Sequence, residues 1–255
     1  MRKIIILLGL CCFLIIGGNA NSQTTTGTID IAELINKGDS LYAIFDYIGS
    51  GDVYEQASVM DSTNEEAFWK TARSLNLIGE TTPKDSQEAI FKSARGAAEY
   101  AISLNDNNAE SHFQLARSLG KIALFQGIFK SASLAKKVKK EAEHVIEIDS
   151  LHDGAWHILG RWHREVGKKP KFLRVPMGLG SANKEDALAF MQKAIDIKPD
   201  YINHHLEMGL NYKKFKKKDL AIAEFQRCLD LPKSVPLDDK YKEEAKKYLD
   251  EMIDN

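Results

Sequence analysis

Apolar and polar positions recur along the chain in five consecutive windows. If the windows begin at Ile31, Glu65, Ala109, Asp153 and Ile202, their fourth residue is large and their eighth is small. The fourth residues are Leu34, Phe68, His112, Trp156 and His205. The eighth residues are Gly38, Ala72, Ala116, Gly160 and Gly209. Each window ends on an apolar residue and a turn, which predicts repeats at 31–64, 65–108, 109–152, 153–201 and 202–235.

Helix packing accounts for this spacing. Positions 4, 7, 8 and 11 share one face of a helix, because residues three and four apart are neighbours on its surface. A small residue at position 8 lets a second, antiparallel helix approach closely. One helix pair cannot bury its apolar face alone, so neighbouring pairs stack. We therefore predict an all-α fold, an α-α superhelix of about five helix pairs, with residues 236–255 as a C-terminal capping helix.

Polar residues at the expected helix entrances support this division. Capping boxes are predicted at Thr63-x-x-Glu66, Asp85-x-x-Glu88 and Asn107-x-x-Glu110, where a polar side chain satisfies a free backbone N–H. Asn183 is expected to cap the helix that carries Ala187 and Ala194.

The repeats resemble the tetratricopeptide repeat. The residues that carry this resemblance are Trp156, Leu159-Gly160, Ala187, Ala194 and Pro199, and then Met208-Gly209, Tyr212, Ala221, Phe225 and Cys228. The lengthened middle repeats are also similar to those of the regulator-of-microtubule-dynamics family, through Phe125-Gln126-Gly127-Ile128, Ala142, Ile148-Asp149 and Trp156 to Gly160. This resemblance implies a helical-repeat fold, and the eukaryotic members imply roles at microtubules or organelle contacts.

The N-terminal residues follow a different pattern. Arg2 and Lys3 precede an apolar run at 4–16, and Gly18-Asn19-Ala20 supplies small residues before a cut. This layout predicts a signal peptide at 1–20 and export to the periplasm or the outside, followed by a flexible lead-in at 21–30. An uncleaved membrane anchor is the alternative, although the run is shorter than the ~20 residues that span a bilayer.

Composition narrows the function classes. The formal net charge of −1 lacks the strong positive balance of a nucleic-acid binder. Cys228 is the one cysteine outside the apolar run, so no disulfide is expected within the mature chain. No nucleophile motif, phosphate-cradling loop or metal-binding spacing is present in the sequence, so we predict no enzyme activity, no cofactor and no metal.

The predicted binding site rests on position 9, which carries arginine in three successive windows. A ring lies four residues earlier each time, giving Trp69 with Arg73, Phe113 with Arg117 and His157 with Arg161. Rings and guanidinium groups so spaced can stack on a helix. Lys121, Arg164 and Lys213 extend the stripe. Such positions line the concave groove of tetratricopeptide repeats, which implies a protein or peptide ligand, acidic in character.

Two alternatives stay open. Each arginine can instead pair with a glutamate such as Glu66 or Glu110, so that the stripe only solvates the groove. Alternatively, lysine-rich stretches at 136–140, 168–171 and 213–218 can dock the protein on an anionic membrane or polymer. The insertion at 168–183 mixes lysines with apolar residues and is expected to be tucked against the array. The oligomeric state does not follow from the sequence.

Overall fold

The structure is a computed structural model that describes residues 30–127 and 130–253. The signal peptide expected at 1–20 lies outside the described residues. The described residues form helices joined by turns, and their bounds are α1 (Ile31–Ala43), α2 (Tyr47–Met60), α3 (Glu65–Thr81), α4 (Lys84–Leu104), α5 (Ala109–Gln126), α6 (Ala132–Ile148), α7 (Asp153–Val166), α8 (Lys171–Arg174), α9 (Lys184–Ile197), α10 (Ile202–Lys214), α11 (Lys218–Asp230) and α12 (Leu237–Ile253).

The small residue at position 8 is where the two helices of a pair meet. A Cβ added to Gly209 on α10 would lie 2.5 Å from the Phe225 ring of α11. A Cβ on Gly160 of α7 would lie 3.1 Å from the backbone nitrogen of Met191 on α9. Ala72 and Ala116 are fully buried. Close approach of paired helices at these positions therefore depends on residue size, as the repeat pattern predicts.

Consecutive helices pack against each other from α1 to α7 and from α9 to α12, and neighbouring first helices touch as well. This arrangement confirms the predicted all-α superhelix of five helix pairs with a C-terminal helix. Helix α12 packs on both α10 and α11. No helix among the described residues is both long and apolar enough to span a bilayer.

The helix caps differ from those predicted, except at Asn183. Asn64, not Thr63, caps α3, and its side chain accepts from the Ala67 N–H at 3.0 Å. Asn108, not Asn107, caps α5, and it accepts from the Glu110 N–H at 2.8 Å. The reason is local, since Thr63 donates to Asp61 and the Asn107 N–H donates to Asn105, which tightens both turns.

Pro83 occupies the N-cap position of α4, and no side-chain hydrogen bond caps this helix. The capping box predicted at Asp85 is therefore wrong. Asn183 does cap α9, and its side chain accepts from the Asp186 N–H at 2.7 Å.

The long connection between α7 and α9 is organised by one arginine. Arg174 is buried and donates to the carbonyl oxygens of Lys169, Leu179 and Ala182. Leu179 and Ala182 are buried against the repeats, whereas Phe172 is 73% exposed. The expectation of a tucked loop therefore holds for its C-terminal half only.

Candidate binding groove

The concave side of the superhelix encloses a groove of about 660 Å³. Helices α3, α5 and α7 form its floor, and residues of α10 and α12 form the opposite wall. Of the residues predicted from the sequence, those that line this groove are Arg73, Phe113, Arg117, Lys121, His157 and Arg161. Repeat spacing brings them together because each occupies an inward-facing position of a first helix.

A buried carboxylate lies at the centre of the floor. Glu80, near the C-terminal end of α3, accepts from Arg117 at 2.7 Å and pairs with Lys121 at 3.2 Å. Burial alone would raise the pKa of Glu80, but the two cations outweigh this effect and hold the pKa well below its ordinary value. The carboxylate therefore stays ionised and partly neutralises the pair of cations beside it.

A second buried carboxylate comes from the fifth repeat and holds the groove arginine one repeat after Arg117. Glu207 of α10 pairs with Arg161 at 3.2 Å and also accepts a hydrogen bond from Arg164. Burial tends to raise the pKa of Glu207, yet these two guanidinium groups lower it to about 2. Arg164 also donates to the Glu207 carbonyl at 3.0 Å, which fixes it between α7 and α10.

Arg73 has a different environment at the N-terminal end of the groove. Its guanidinium lies 3.7 Å from the ring centroid of Tyr42 and 5.0 Å from that of Trp69. Its nearest carboxylate is Asp39, at 3.7 Å. The stacking of an arginine on the ring four residues before it is thus present for Trp69 and Arg73. Arg117 and Arg161 are held by carboxylates instead.

The two other ring positions also have partners. Phe113 packs on the His152 ring at 4.4 Å between centroids. His157 and His204 approach within 2.8 Å through their Nδ1 atoms, and His204 reaches Asp153 at 2.9 Å. Burial, together with the neighbouring His204, holds the pKa of His157 well below its ordinary value, so the ring is neutral at pH 7.

Three predicted residues lie elsewhere. Arg164 is buried between α7 and α10, and Trp69 does not reach the groove lining. Lys213 pairs with Glu251 at 2.7 Å and covers the Tyr248 ring, beside a separate depression near the end of α12. These three residues therefore lie outside the groove lining, and packing of α10 and α12 occupies the faces on which Arg164 and Lys213 lie.

The carboxylate partners are also not those expected. Glu66 pairs with Lys70 at 2.7 Å, and Glu110 lies 3.5 Å from His152. The carboxylates that hold the arginines, Asp39, Glu80 and Glu207, come from the preceding or the following repeat. They follow no common repeat position, so periodicity within one sequence gives no signal for them.

The C-terminal helix closes one side of the groove. Lys240 donates to the Glu80 carbonyl at 3.2 Å, and the Tyr241 hydroxyl lies 3.4 Å from the Glu80 carboxylate. Leu77 of α3 joins the same apolar cluster as Leu237. The helix predicted as a cap therefore also joins the last repeat to the second one across the concave side.

Among the described residues, no three histidine, cysteine or acidic side chains are arranged to hold an ion. His112 and His205 contact Glu141 and Glu224 at 2.6 and 2.7 Å, which ties the first helix of a pair to the second. Cys228 is buried, and burial raises the pKa of its thiol far above the ordinary range.

Solved structures share this architecture. A thermophilic TPR protein of Thermus thermophilus superposes with a TM-score of 0.63 at 14% identity, covering 84% of this chain and 98% of that one. This similarity confirms the tetratricopeptide-like fold. Stacked repeats of this kind offer an extended concave surface.

Sequence relatives identify the family. Regulator of microtubule dynamics protein 1 of Bos taurus is 23% identical over 235 residues, which cover 86% of this chain and 71% of that protein. Its Homo sapiens counterpart is 23% identical over 189 residues, covering 71% of this chain and 60% of that protein. The family model described as regulator of microtubule dynamics protein 1-3 matches residues 34–253. The chain therefore belongs to the regulator of microtubule dynamics protein 1-3 family.

Proposed function

We propose that this protein is a non-catalytic scaffold that binds a carboxylate-bearing segment of another protein in the concave groove. The helical-repeat fold supports a binding role, and the family relatives are named as regulators rather than as enzymes. The proposal uses the fold of these relatives. It does not include the regulation of microtubules that their name describes.

The observation that carries this proposal is the unequal exposure of the charges on the groove floor. The side chains of Glu80 and Glu207 are 7% and 6% exposed. The cations that they hold are more open, at 19% for Arg117, 25% for Lys121 and 27% for Arg161. The carboxylates therefore fix the cations from behind, while N–H groups still face the groove and can donate to a ligand.

The residues around the groove floor narrow the choice of ligand further. Glu110, Asp149 and Glu244 also line the groove, around the central cations. Like charges in a partly dehydrated groove repel, so a uniformly acidic segment is disfavoured. The arrangement fits a segment with one or two carboxylates that reach the floor, flanked by neutral or basic residues.

We also propose that this scaffold acts outside the cytoplasm. The support is the basic start, the apolar run at 4–16 and the small residues that end at Ala20. Tracking a C-terminally tagged chain through cell fractionation tests this part, and a full-length product retained in the cytoplasm would contradict it.

Binding to two matched pools of random fluorescent peptides tests the groove. One pool carries free Asp, Glu and terminal carboxylates, and the other carries the corresponding amides. The double variant Lys121→Gln/Arg161→Gln removes two groove cations but leaves each buried carboxylate one partner, Arg117 or Arg164. We expect the wild type to prefer the carboxylate pool, and the variant to bind about tenfold or more weakly, because each lost charge-assisted hydrogen bond is worth ~1.5–3 kcal/mol.

The matched control removes two exposed cations from second helices, Lys92→Gln/Lys193→Gln, and is expected to bind as the wild type does. Equal affinity for both pools, or undiminished binding by the groove variant, would refute a carboxylate-binding groove.

A further inference from the structure

The array has two edges of different chemistry. Because consecutive helices run antiparallel, the turns inside the pairs lie along one edge, and the turns between pairs lie along the other. The first edge includes turns at 44–46, 82–83, 167–183 and 215–217. The second includes turns at 61–64, 105–108, 149–152 and 198–201.

The C-terminal half of the first edge is rich in lysine. The 167–183 turn contributes lysines at 168, 169 and 171, and residues 216–218 are all lysine and exposed. We call the surface formed by residues 165–186 and 213–219 the basic edge. Its acids, Glu165, Glu185, Asp186 and Asp219, are fewer than its lysines. The opposite turns instead contain Asp61, Asp106, Asp149 and Asp200.

The basic edge is one continuous surface. The Lys136 side chain at the start of α6 lies against Gly178 of the long turn. Lys184, at the start of α9, reaches over the Phe215 ring of the next turn at 5.4 Å. The lysines at 168–171 and at 216–218 therefore face solvent on the same side of the molecule.

An apolar tip projects from this surface. Phe172, Leu173 and Val175 are exposed large apolar residues within four positions of one another. They are not part of a loose loop, because the three hydrogen bonds of Arg174 and the burial of Leu179 hold the turn in place. Exposed large apolar side chains that a rigid backbone holds among lysines mark an interaction surface.

We propose that the basic edge docks the protein on an anionic lipid bilayer, with Phe172, Leu173 and Val175 entering the interface and the lysines contacting the headgroups. Lysines near such a surface gain from its negative potential, and apolar side chains gain by leaving water. This combination of lysines and exposed apolar side chains distinguishes the basic edge from the opposite one. Leu151 on the opposite edge is also exposed, but its neighbours include Asp149 and not a group of lysines.

A lipid surface explains the apolar tip better than an acidic polymer does, because a polymer would engage the lysines and leave Phe172 in water. Docking by this edge also leaves the concave groove free, since none of Arg73, Arg117 and Arg161 lies on it. The two activities are therefore separable by mutation.

Co-sedimentation with vesicles tests this proposal. The complete chain is mixed with phosphatidylcholine vesicles that contain either no anionic lipid or about 30% phosphatidylserine. Every variant is made in the complete chain, so residues 1–29 contribute equally to all arms. We expect binding to the anionic vesicles that falls about tenfold or more in Lys171→Glu/Lys218→Glu. Both substitutions lie at the first residue of a helix, where an acid is compatible with the helix dipole.

The variant Phe172→Ser/Leu173→Ser separates a bilayer from a polymer, and it is expected to lose vesicle binding while its thermal unfolding stays unchanged. The control Leu151→Ser/Lys193→Glu removes an exposed apolar residue and reverses a lysine away from the basic edge, and should bind as the wild type does. The proposal would be overturned if this control lost vesicle binding to the same extent, or if the wild type bound neutral vesicles equally well. Full vesicle binding by the Phe172→Ser/Leu173→Ser variant would overturn it too.

Discussion

Positions 8 and 9 of the first helices are adjacent in sequence but face two regions that are stabilised in different ways. Position 8 lies against the second helix of the same pair, where Gly209 meets the Phe225 ring. Position 9 lies on the groove side, where Arg117 and Arg161 meet carboxylates from other repeats. The first contact depends on size and recurs in each repeat. The second depends on charge and joins one repeat to another.

The largest effect is expected from removal of a groove carboxylate. Glu207→Ala takes one of its two carboxylate partners from the buried Arg164, which keeps Glu165 at 3.2 Å, and takes the partner from Arg161 as well. Breaking a buried pair from one side costs about 3–5 kcal/mol, and urea unfolding should show this loss in the free energy of unfolding. Glu66→Ala is the matched control, because Glu66 is half exposed and Lys70 keeps Asp39, so about 1 kcal/mol or less is expected. Similar losses in both variants would contradict a structural role for the groove floor.

A smaller effect is expected at the interface within a pair. Gly209→Ala adds a methyl group 2.5 Å from the Phe225 ring, so the ring must move. Overpacking of this kind costs about 1–3 kcal/mol, measurable by the same unfolding experiment.

Gly96→Ala is its control, since a Cβ on this helical glycine meets nothing within 4 Å. Here alanine is expected to stabilise by about 0.5–1 kcal/mol through its helix propensity. Destabilisation by Gly96→Ala, or none by Gly209→Ala, would show that residue size at position 8 does not control the approach of the helices.

The fold could be predicted because its determinants are local and repeated. Small residues such as Gly160 and Gly209, spaced from large ones on a single face, specify a helix pair without any knowledge of other repeats. Cap positions such as Asn64 were missed by one residue, since the hydrogen bond from Thr63 to Asp61 tightens the preceding turn. Turn geometry of this kind depends on the neighbouring residues and not on the repeat period.

The groove could be predicted only in part. The stripe of Arg73, Arg117 and Arg161 follows from the period, but the partners of these residues do not. Glu80 sits near the end of α3 and Glu207 early in α10, so no shared position indicates that they meet the stripe. The contact of Tyr241 with Glu80 depends on the curvature of the whole array, which accumulates over several repeats and is invisible within any one window.

The smallest effect is expected at Asp39, the acidic residue that occupies position 9 in the first repeat. Its burial tends to raise its pKa, but hydrogen bonds from Lys70 and Tyr54 outweigh this and lower the pKa below 3.8. A carboxylate with a lowered folded-state pKa contributes stability above its unfolded pKa and loses it as the pH falls through the folded value. Asp39→Asn should therefore cost about 1 kcal/mol or less at pH 7, because the carboxylate is partly exposed and Lys70 keeps Glu66.

That cost should shrink below pH ~4 and vanish once Asp39 is protonated in the folded wild type, which unfolding experiments across this range would show. The Glu207 contribution should persist further, because its folded pKa is about 2. If the difference in unfolding free energy between wild type and Asp39→Asn stayed constant down to pH 2, Asp39 would act through its hydrogen bonds and not through its charge. The position 9 stripe would then be stabilised electrostatically only where α10 and the end of α3 supply a buried carboxylate.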